Sequence, residues 1–362
     1  MIIVGLDPGY GTIKVTAIGE DGTLRTAYIP AAVGVGTTDL GLLSIGTLGR
    51  RRRTLQPDVV ALNGVTYLVG HNVHRFARPV ERMDFLRLTG GPELRAALYA
   101  ALARVLPPGQ STVHLMLGLP VQIMADRAQA QATLRTIRGW LVGEHHFTVN
   151  DVAYVIQVLA VRAMAQPAGT FFAWGMDNAG RWVRTRRDLT VPVAICDIGF
   201  NTLDLFAVEG GTVIAQYTAG DTLGMRRAAD MLIDDVRRRY GVRLSRHQAD
   251  ALLQARHPRL HTADGEVALD DLVQQALDVT AGHVVSFLER HWEAGRQFER
   301  LFFTGGGALA LKEVLLRHYP HGVLLPDPVM ANAIGLARYG MRIFRKEKSA
   351  QVPSPRRHVP SG

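Results

Sequence analysis

The chain has 362 residues, 47% hydrophobic and 20% charged, which supports two folded domains with ample cores and argues against a disordered chain. No apolar run reaches the ~18 residues of a membrane span, and the single cysteine, Cys196, excludes a disulfide framework or a cysteine-ligated cluster within one chain. The 41 Lys and Arg exceed the 32 Asp and Glu, and the net charge of +9 suits an anionic partner or reflects arginine use throughout the sequence.

In chain order, the sequence opens on a strand-like run without a basic leader, so no signal peptide is expected and a reducing cytoplasm is the expected compartment. Residues 2–30 alternate strand and turn, with Glu20-Asp21-Gly22 as a hairpin tip. The first turn, Asp7-Pro8-Gly9-Tyr10-Gly11-Thr12-Ile13-Lys14, sets an acid, glycines, a hydroxyl and a lysine between two strand-like runs. Glycine lets backbone N–H groups approach phosphate oxygens, and a carboxylate holds a metal ion or its waters, so this turn suits a magnesium-bound phosphate. Lys14 is odd at a core position of a strand, which favours a functional role.

Residues 49–53 hold four consecutive arginines, a solvated loop or a contact for a polymer or DNA. Residues 59–69 read as a hairpin turned by Asn63-Gly64. Residues 92–106 read as a helix with Leu94, Leu98, Leu102 and Leu106 on one face, stopped by Pro107-Pro108-Gly109. A buried strand is expected at 113–118, a helix at 124–141, and one or two strands at 147–161. Residues 174–190 look like an insertion or exposed hairpin.

The acid–glycine turn is then written a second time, as Asp197-Ile198-Gly199-Phe200-Asn201-Thr202-Leu203-Asp204, again between two apolar runs. This repetition suggests a duplicated architecture with a nucleotide held between the halves. Asp221 or Thr222 is placed to cap a helix over 225–240. Residues 270–294 form an amphipathic helix on which His283, His291 and Trp292 read as packing or surface residues, and no His/Cys/Asp/Glu spacing suggests zinc. Thr304-Gly305-Gly306-Gly307-Ala308 ends a strand in glycines, so backbone can lie flat against a base and ribose. Helices at 309–318 and 330–345 flank a short strand at 323–325, and the polar tail is expected to be disordered.

In this order the elements resemble the actin-like ATPase superfamily. Five segments carry the resemblance: the two acid–glycine turns as phosphate loops, residues 304–308 as the adenosine loop, Gly118-Leu119-Pro120-Val121-Gln122 as a first connecting element, and Asp327 through Asn332 to Gly335 as a second. Their spelling is most similar to the plasmid-segregating ParM type and to archaeal-type actin homologues. The resemblance implies an α/β actin-like fold of two related ribonuclease-H-like domains with a nucleotide cleft between them. Domain I would be residues 1–165 and 331–348, with a small variable subdomain at about 31–90, domain II residues 166–330, and the tail 349–362.

It further implies ATP, or GTP, with Mg²⁺. Gly9, Tyr10, Gly11 and Thr12 would clasp the phosphates from one side and Gly199, Phe200, Asn201 and Thr202 from the other. Lys14 would neutralise phosphate charge, Asp7 and Asp197 would hold Mg²⁺ through waters, Asp204 would support its loop, and Gly305, Gly306 and Gly307 would face the adenosine. The family places a Gln or Glu just before a helix to act on the attacking water. Gln166 is the residue in place, with Gln157 the alternative because the local spelling departs from the family's. A glutamine orients water by hydrogen bonds and abstracts no proton.

By the same resemblance the chain is a filament-forming ATPase whose partner is itself, with a DNA-bound adaptor linking the filament to a plasmid and direct nucleic-acid contact left open. The alternatives are a cytoskeletal actin homologue unconnected with plasmids, or a small-molecule kinase of the same superfamily. The kinase lacks support, since no sugar-kinase signature is present. A chaperone ATPase would need a substrate domain after residue 345.

Overall fold

The apolar run of Ile2–Pro8 (β1), buried on both faces, folds back onto Thr12–Ile18 (β2), and the turn at Gly22, φ 80°, brings Leu24–Pro30 (β3) alongside. The structure, a computed structural model, describes residues 1–38, 56–80 and 88–351, with side chains to residue 345. The four-arginine run and residues 352–362 of the tail lie outside the described residues. Val33–Val35 (β4) is followed by the hairpin Asp58–Leu62 (β5) and Val65–Val69 (β6). Its turn residues Asn63 and Gly64 sit at φ 50° and 78°, both left-handed as a type I′ turn requires.

Pro92–Ala103 (α1), Gly109–Leu119 (β7), Val121–Ala125 (α2), Arg127–Leu141 (α3), Gly143–Val149 (β8) and Val152–Ala165 (β9) complete the first half. Its strands form a sheet in the order β3-β2-β1-β7-β9-β8-β5-β6-β4. Strands β3 and β4 are adjacent in the chain yet lie at opposite edges, so the sheet curls, and α1 packs inside the curl against β2 to β6 and β8. That is why α1 is buried nearly all round, by alanines as well as by the leucine face. The helix expected at 124–141 is broken at Asp126, whose extended backbone and side chain, accepting from the Gln129 N–H at 2.8 Å, cap α3.

Gln166–Gly175 (α4) and Arg186–Thr190 (α5) lead into the second half. The segment between them does not stand free. Trp182 bridges to Met176 and its ring meets Trp174 and Phe171, while Thr185 and Asp188 form a capping box. The second sheet contains Val193–Ile198 (β10), Leu203–Glu209 (β11), Thr212–Val213 (β12) and Ala219–Asp221 (β13). Asp221 therefore ends a strand paired with β11, and the next helix, Arg226–Tyr240 (α6), starts without a cap from Asp221 or Thr222.

Arg246–Leu253 (α7), the hairpin Arg259–Thr262 (β14) and Gly265–Ala268 (β15), and Asp270–Trp292 (α8) follow. Arg300–Thr304 (β16), Gly306–Ala310 (α9), Lys312–His318 (α10) and Gly322–Leu324 (β17) return to the sheet, whose order is β12-β11-β10-β16-β17. The single helix expected at 309–318 is thus two short ones. The last element, Ala331–Gln351 (α11), runs helical into the expected tail.

Helix α11 packs on β1, β2 and β7 of the first sheet, α4 on β10 and β11 of the second, and the two helices pack on each other. They cross at Gly169 and Gly335, where a Cβ on either would overlap backbone of the other helix. Only glycine admits this approach.

Candidate functional site

Both acid–glycine turns fold by one rule. In the first hairpin Asp7 lies opposite Lys14, and the Gly9 N–H donates to the Thr12 carbonyl at 3.2 Å. In the second Asp197 lies opposite Asp204, and the Gly199 N–H donates to the Thr202 carbonyl at 2.9 Å. The bends touch: a Cβ on Gly11 would lie 2.8 Å from Cβ of Phe200.

Between them is a cavity of about 270 Å³. Asp7, Gly9, Tyr10, Gly11, Thr12 and Lys14 line it from the first hairpin, and Asp197, Gly199, Phe200, Asn201 and Thr202 from the second. Gln166, Gly306 and Gly307 complete the residues expected from sequence. Gly305 stands behind this wall at φ 87°, and a Cβ there would sit 2.6 Å from Asp197 Oδ1. Over Gly306 the space is open. Gln157 lies in mid-sheet, opposite Thr112 and Glu144 and away from the cavity.

The acids are buried and held. Lys14 Nζ is 3.2 Å from Asp7 Oδ2, and the Gln166 amide donates to Asp7 Oδ1 at 2.7 Å. The Asn332 amide donates to Asp197 Oδ2 at 2.7 Å. Burial would lower the Lys14 pKa, but Asp7, then Asp197, and more weakly Asp250 outweigh it and raise the net value. Burial and the Asp7 charge push Asp197 up to about 6, against Lys14 and Asn332. Burial and the Asp197 charge push Asp204 up to about 7. Asp204 braces the second loop from outside the cavity: its Oδ1 accepts the Val121 N–H at 2.9 Å, while Oδ2 is buried without a partner.

Sequence reasoning missed part of the wall. Tyr28 of β3 opposes Lys14 and is 59% exposed at the rim. Asp250 of α7 faces the cavity with Gln254, whose amide donates to it at 3.0 Å. Burial raises the Asp250 pKa, against Gln254 and Lys14. Acid and amide four apart on a helix share a face, a signal the sequence offered. Asn332 stood inside the second connecting element without an assigned role. Among the described residues no group of three or more His, Cys, Asp or Glu is placed to hold a metal ion by itself. The donors present, two carboxylates beside glycine bends with a lysine, fit a cation taken up with its own waters and a phosphate ligand.

A family model for the N-terminal domain of actin-like proteins matches residues 5–169, and one for the C-terminal domain of the archaeal actin homologue, MreB-like, matches residues 195–317. No curated protein matches the chain. Among solved structures, a 15-stranded ParM filament from Clostridium botulinum is similar at 18% identity and TM-score 0.74, covering 94% of this chain and 99% of that one. The archaeal actin homologue Ta0583 in complex with ADP is similar at 16% identity and TM-score 0.70, covering 94% and 100%. Apo psk41 ParM is similar at 17% identity and TM-score 0.67, covering 96% and 99%. With two matched hairpins on one cavity, and both halves matched in order, the chain belongs to the actin-like proteins.

Proposed function

We propose that this chain is an ATPase that polymerises into filaments according to its nucleotide state. The observation that carries this reading is Lys14 and the acids Asp7 and Asp197 at one cavity, walled by two glycine bends of the same hydrogen-bond pattern. Backbone N–H groups at residues 9–12 and 199–202 clasp the β- and γ-phosphates from opposite sides, and Lys14 balances their charge. Asp7 and Asp197 would hold Mg²⁺ through its waters, and the bound ion would supply charge stabilisation to the transferring phosphoryl group. Gly306 and Gly307 offer a flat surface to the base, and Gly305 sets the turn behind them. Asp250 and Gln254 face the ribose, the carboxylate accepting hydrogen bonds from its hydroxyls.

Gln166 commits its amide nitrogen to Asp7, so its carbonyl oxygen is what it can turn to the attacking water. Asp7, Asp197 and Gln166 form the catalytic group, with ATP or GTP as nucleotide. We assign residues 1–165 and 331–348 to one domain and 166–330 to the other, so nucleotide bridges two bodies and its γ-phosphate changes the angle between them. A head-to-tail contact that does not close extends as a filament. The ParM filament among the similar structures supports self-assembly. In this reading the filament works in the cytoplasm and is coupled to plasmid DNA through an adaptor, the chain's positive charge suiting an anionic partner.

Right-angle light scattering with phosphate release, after adding Mg-ATP to the wild type and to Asp197→Ala, tests this. The expected trace rises and decays as phosphate appears, and is flat in the variant. Hydrolysis without a scattering change at any protein concentration rejects the polymer.

A further inference from the structure

Two carboxamides reach the cavity acids from the two crossed helices. Gln166, first residue of α4, donates to Asp7, and Asn332, in the first turn of α11, donates to Asp197 Oδ2. The Asn332 amide has one orientation. Its Oδ1 accepts the Thr170 hydroxyl of α4 at 2.7 Å, which leaves its nitrogen facing the carboxylate at 2.7 Å. Thr170 Oγ1 is also 3.2 Å from Thr304 Oγ1, and Thr304 donates to the Pro328 carbonyl at 2.7 Å. Thr170 and Thr304 are fully buried and Asn332 is 3% exposed.

A polar chain of this kind is costly where two helices meet backbone to backbone, since burying an unpaired amide costs on the order of several kcal/mol. Leucine and alanine fill neighbouring positions of the same contact. What the amide adds, and an apolar side chain would not, is a fixed rotation of the Asp197 carboxylate. It comes from α11, which packs on the first sheet, whereas Asp197 lies in a strand of the second.

We propose that Asn332, aimed by Thr170, is the positioning residue of the cavity's second acid, holding Asp197 in the one rotation that receives hydrated Mg²⁺ with nucleotide. The inference rests on reading the cavity as a Mg-nucleotide site. Partners that orient a metal's ligands are worth roughly 10- to 100-fold in metal affinity, and water between acid and ion favours the lower figure.

The test is ADP binding by titration calorimetry, with excess Mg²⁺ and with EDTA, for wild type, Asn332→Ala, Thr170→Val and the double variant. N332A should lose about 10-fold of the tightening that Mg²⁺ gives the wild type, with its EDTA affinity unchanged. T170V keeps the amide and removes what aims it, so it should lose part of the same tightening. The double variant should be no worse than N332A, since both act through one rotation. Where N332A fails to fold, T170V carries the test alone. Retention of the full Mg²⁺ effect, or equal losses with Mg²⁺ and EDTA, overturns the proposal while leaving the cavity reading intact. Wild type that binds no ADP in either condition overturns both.

Discussion

The two hairpins differ at one telling position. Opposite its acid the first carries Lys14, while the second carries Asp204, so two buried carboxyls face each other across β10 and β11. Like charges at directly opposed positions repel, and burial raises the cost. Asp204 therefore titrates at about 7 in the folded chain instead of 3.8, burial contributing most and Asp197 next. A carboxyl whose folded pKa lies above its unfolded one binds its proton more tightly when folded. Its contribution is intact below about 4, is lost as pH rises toward 7, and stays lost above that. At 1.36 kcal/mol per pH unit this amounts to about 4 kcal/mol. Asp204→Asn keeps the acceptor for the Val121 N–H and removes the charge. In thermal unfolding with EDTA and no nucleotide, the variant and wild type should agree near pH 4 and separate as pH rises. By pH 8 the variant should melt roughly 5 °C higher, taking the chain as one cooperative unit. Parallel melting curves from pH 4 to 8 would refute the buried acid pair as the source.

Gly11→Ala puts a methyl 2.8 Å from Phe200 Cβ and should wedge the hairpins apart. Nucleotide affinity is expected to fall roughly 10-fold or more, read by titration calorimetry, with little change in melting temperature. Asp58→Asn is the remote control. Asp58 is buried, takes three bonds from Arg104 and one from Asn150, and lies far along the sheet from the cavity. Because Arg104 is half exposed, the loss should be only about 1–2 kcal/mol in a denaturant titration, with nucleotide binding unchanged. Cys196 is fully buried, and burial, then Asp197 and Asp204, hold its thiol far above its ordinary pKa. A thiol reagent should leave the native chain unlabelled and label it only on unfolding, followed by absorbance.

What the sequence disclosed was local. Each acid–glycine turn is written in consecutive residues, so the identity and spacing of Asp7, Gly9 and Thr12, then of Asp197, Gly199 and Thr202, were legible without the fold. The Asn63-Gly64 turn was equally plain, because few residues tolerate two left-handed positions. Residues whose role depends on a distant partner were not. Asn332 meets Asp197 across 135 positions, and Asp250 reaches the cavity only because α7 packs against its mouth. Helix ends failed for a related reason. Asp126 looks like one more polar residue of a helix until its side chain is seen bonded to Gln129, and Asp221 looks like a cap until residues 219–221 are seen paired to β11. In α1 the stripe of Leu94, Leu98 and Leu102 was read correctly, but the helix ends at Ala103, short of Leu106, and the sheet that curls around the alanines behind the stripe was not foreseen.

The placement of α11 also bears on how the chain comes to be folded during synthesis. Strand β1 is made first, yet the apolar face formed by Ile3, Ile18 and Met116 is covered by Leu336, Ala337, Met341 and Phe344 of the final helix. Until those residues leave the ribosome, that face has no cover, and a nascent chain must carry it exposed through the making of the whole second half. Premature termination before residue 331 should therefore yield an aggregating product rather than a free-standing first half, and the first half should acquire protease resistance only after the second has emerged.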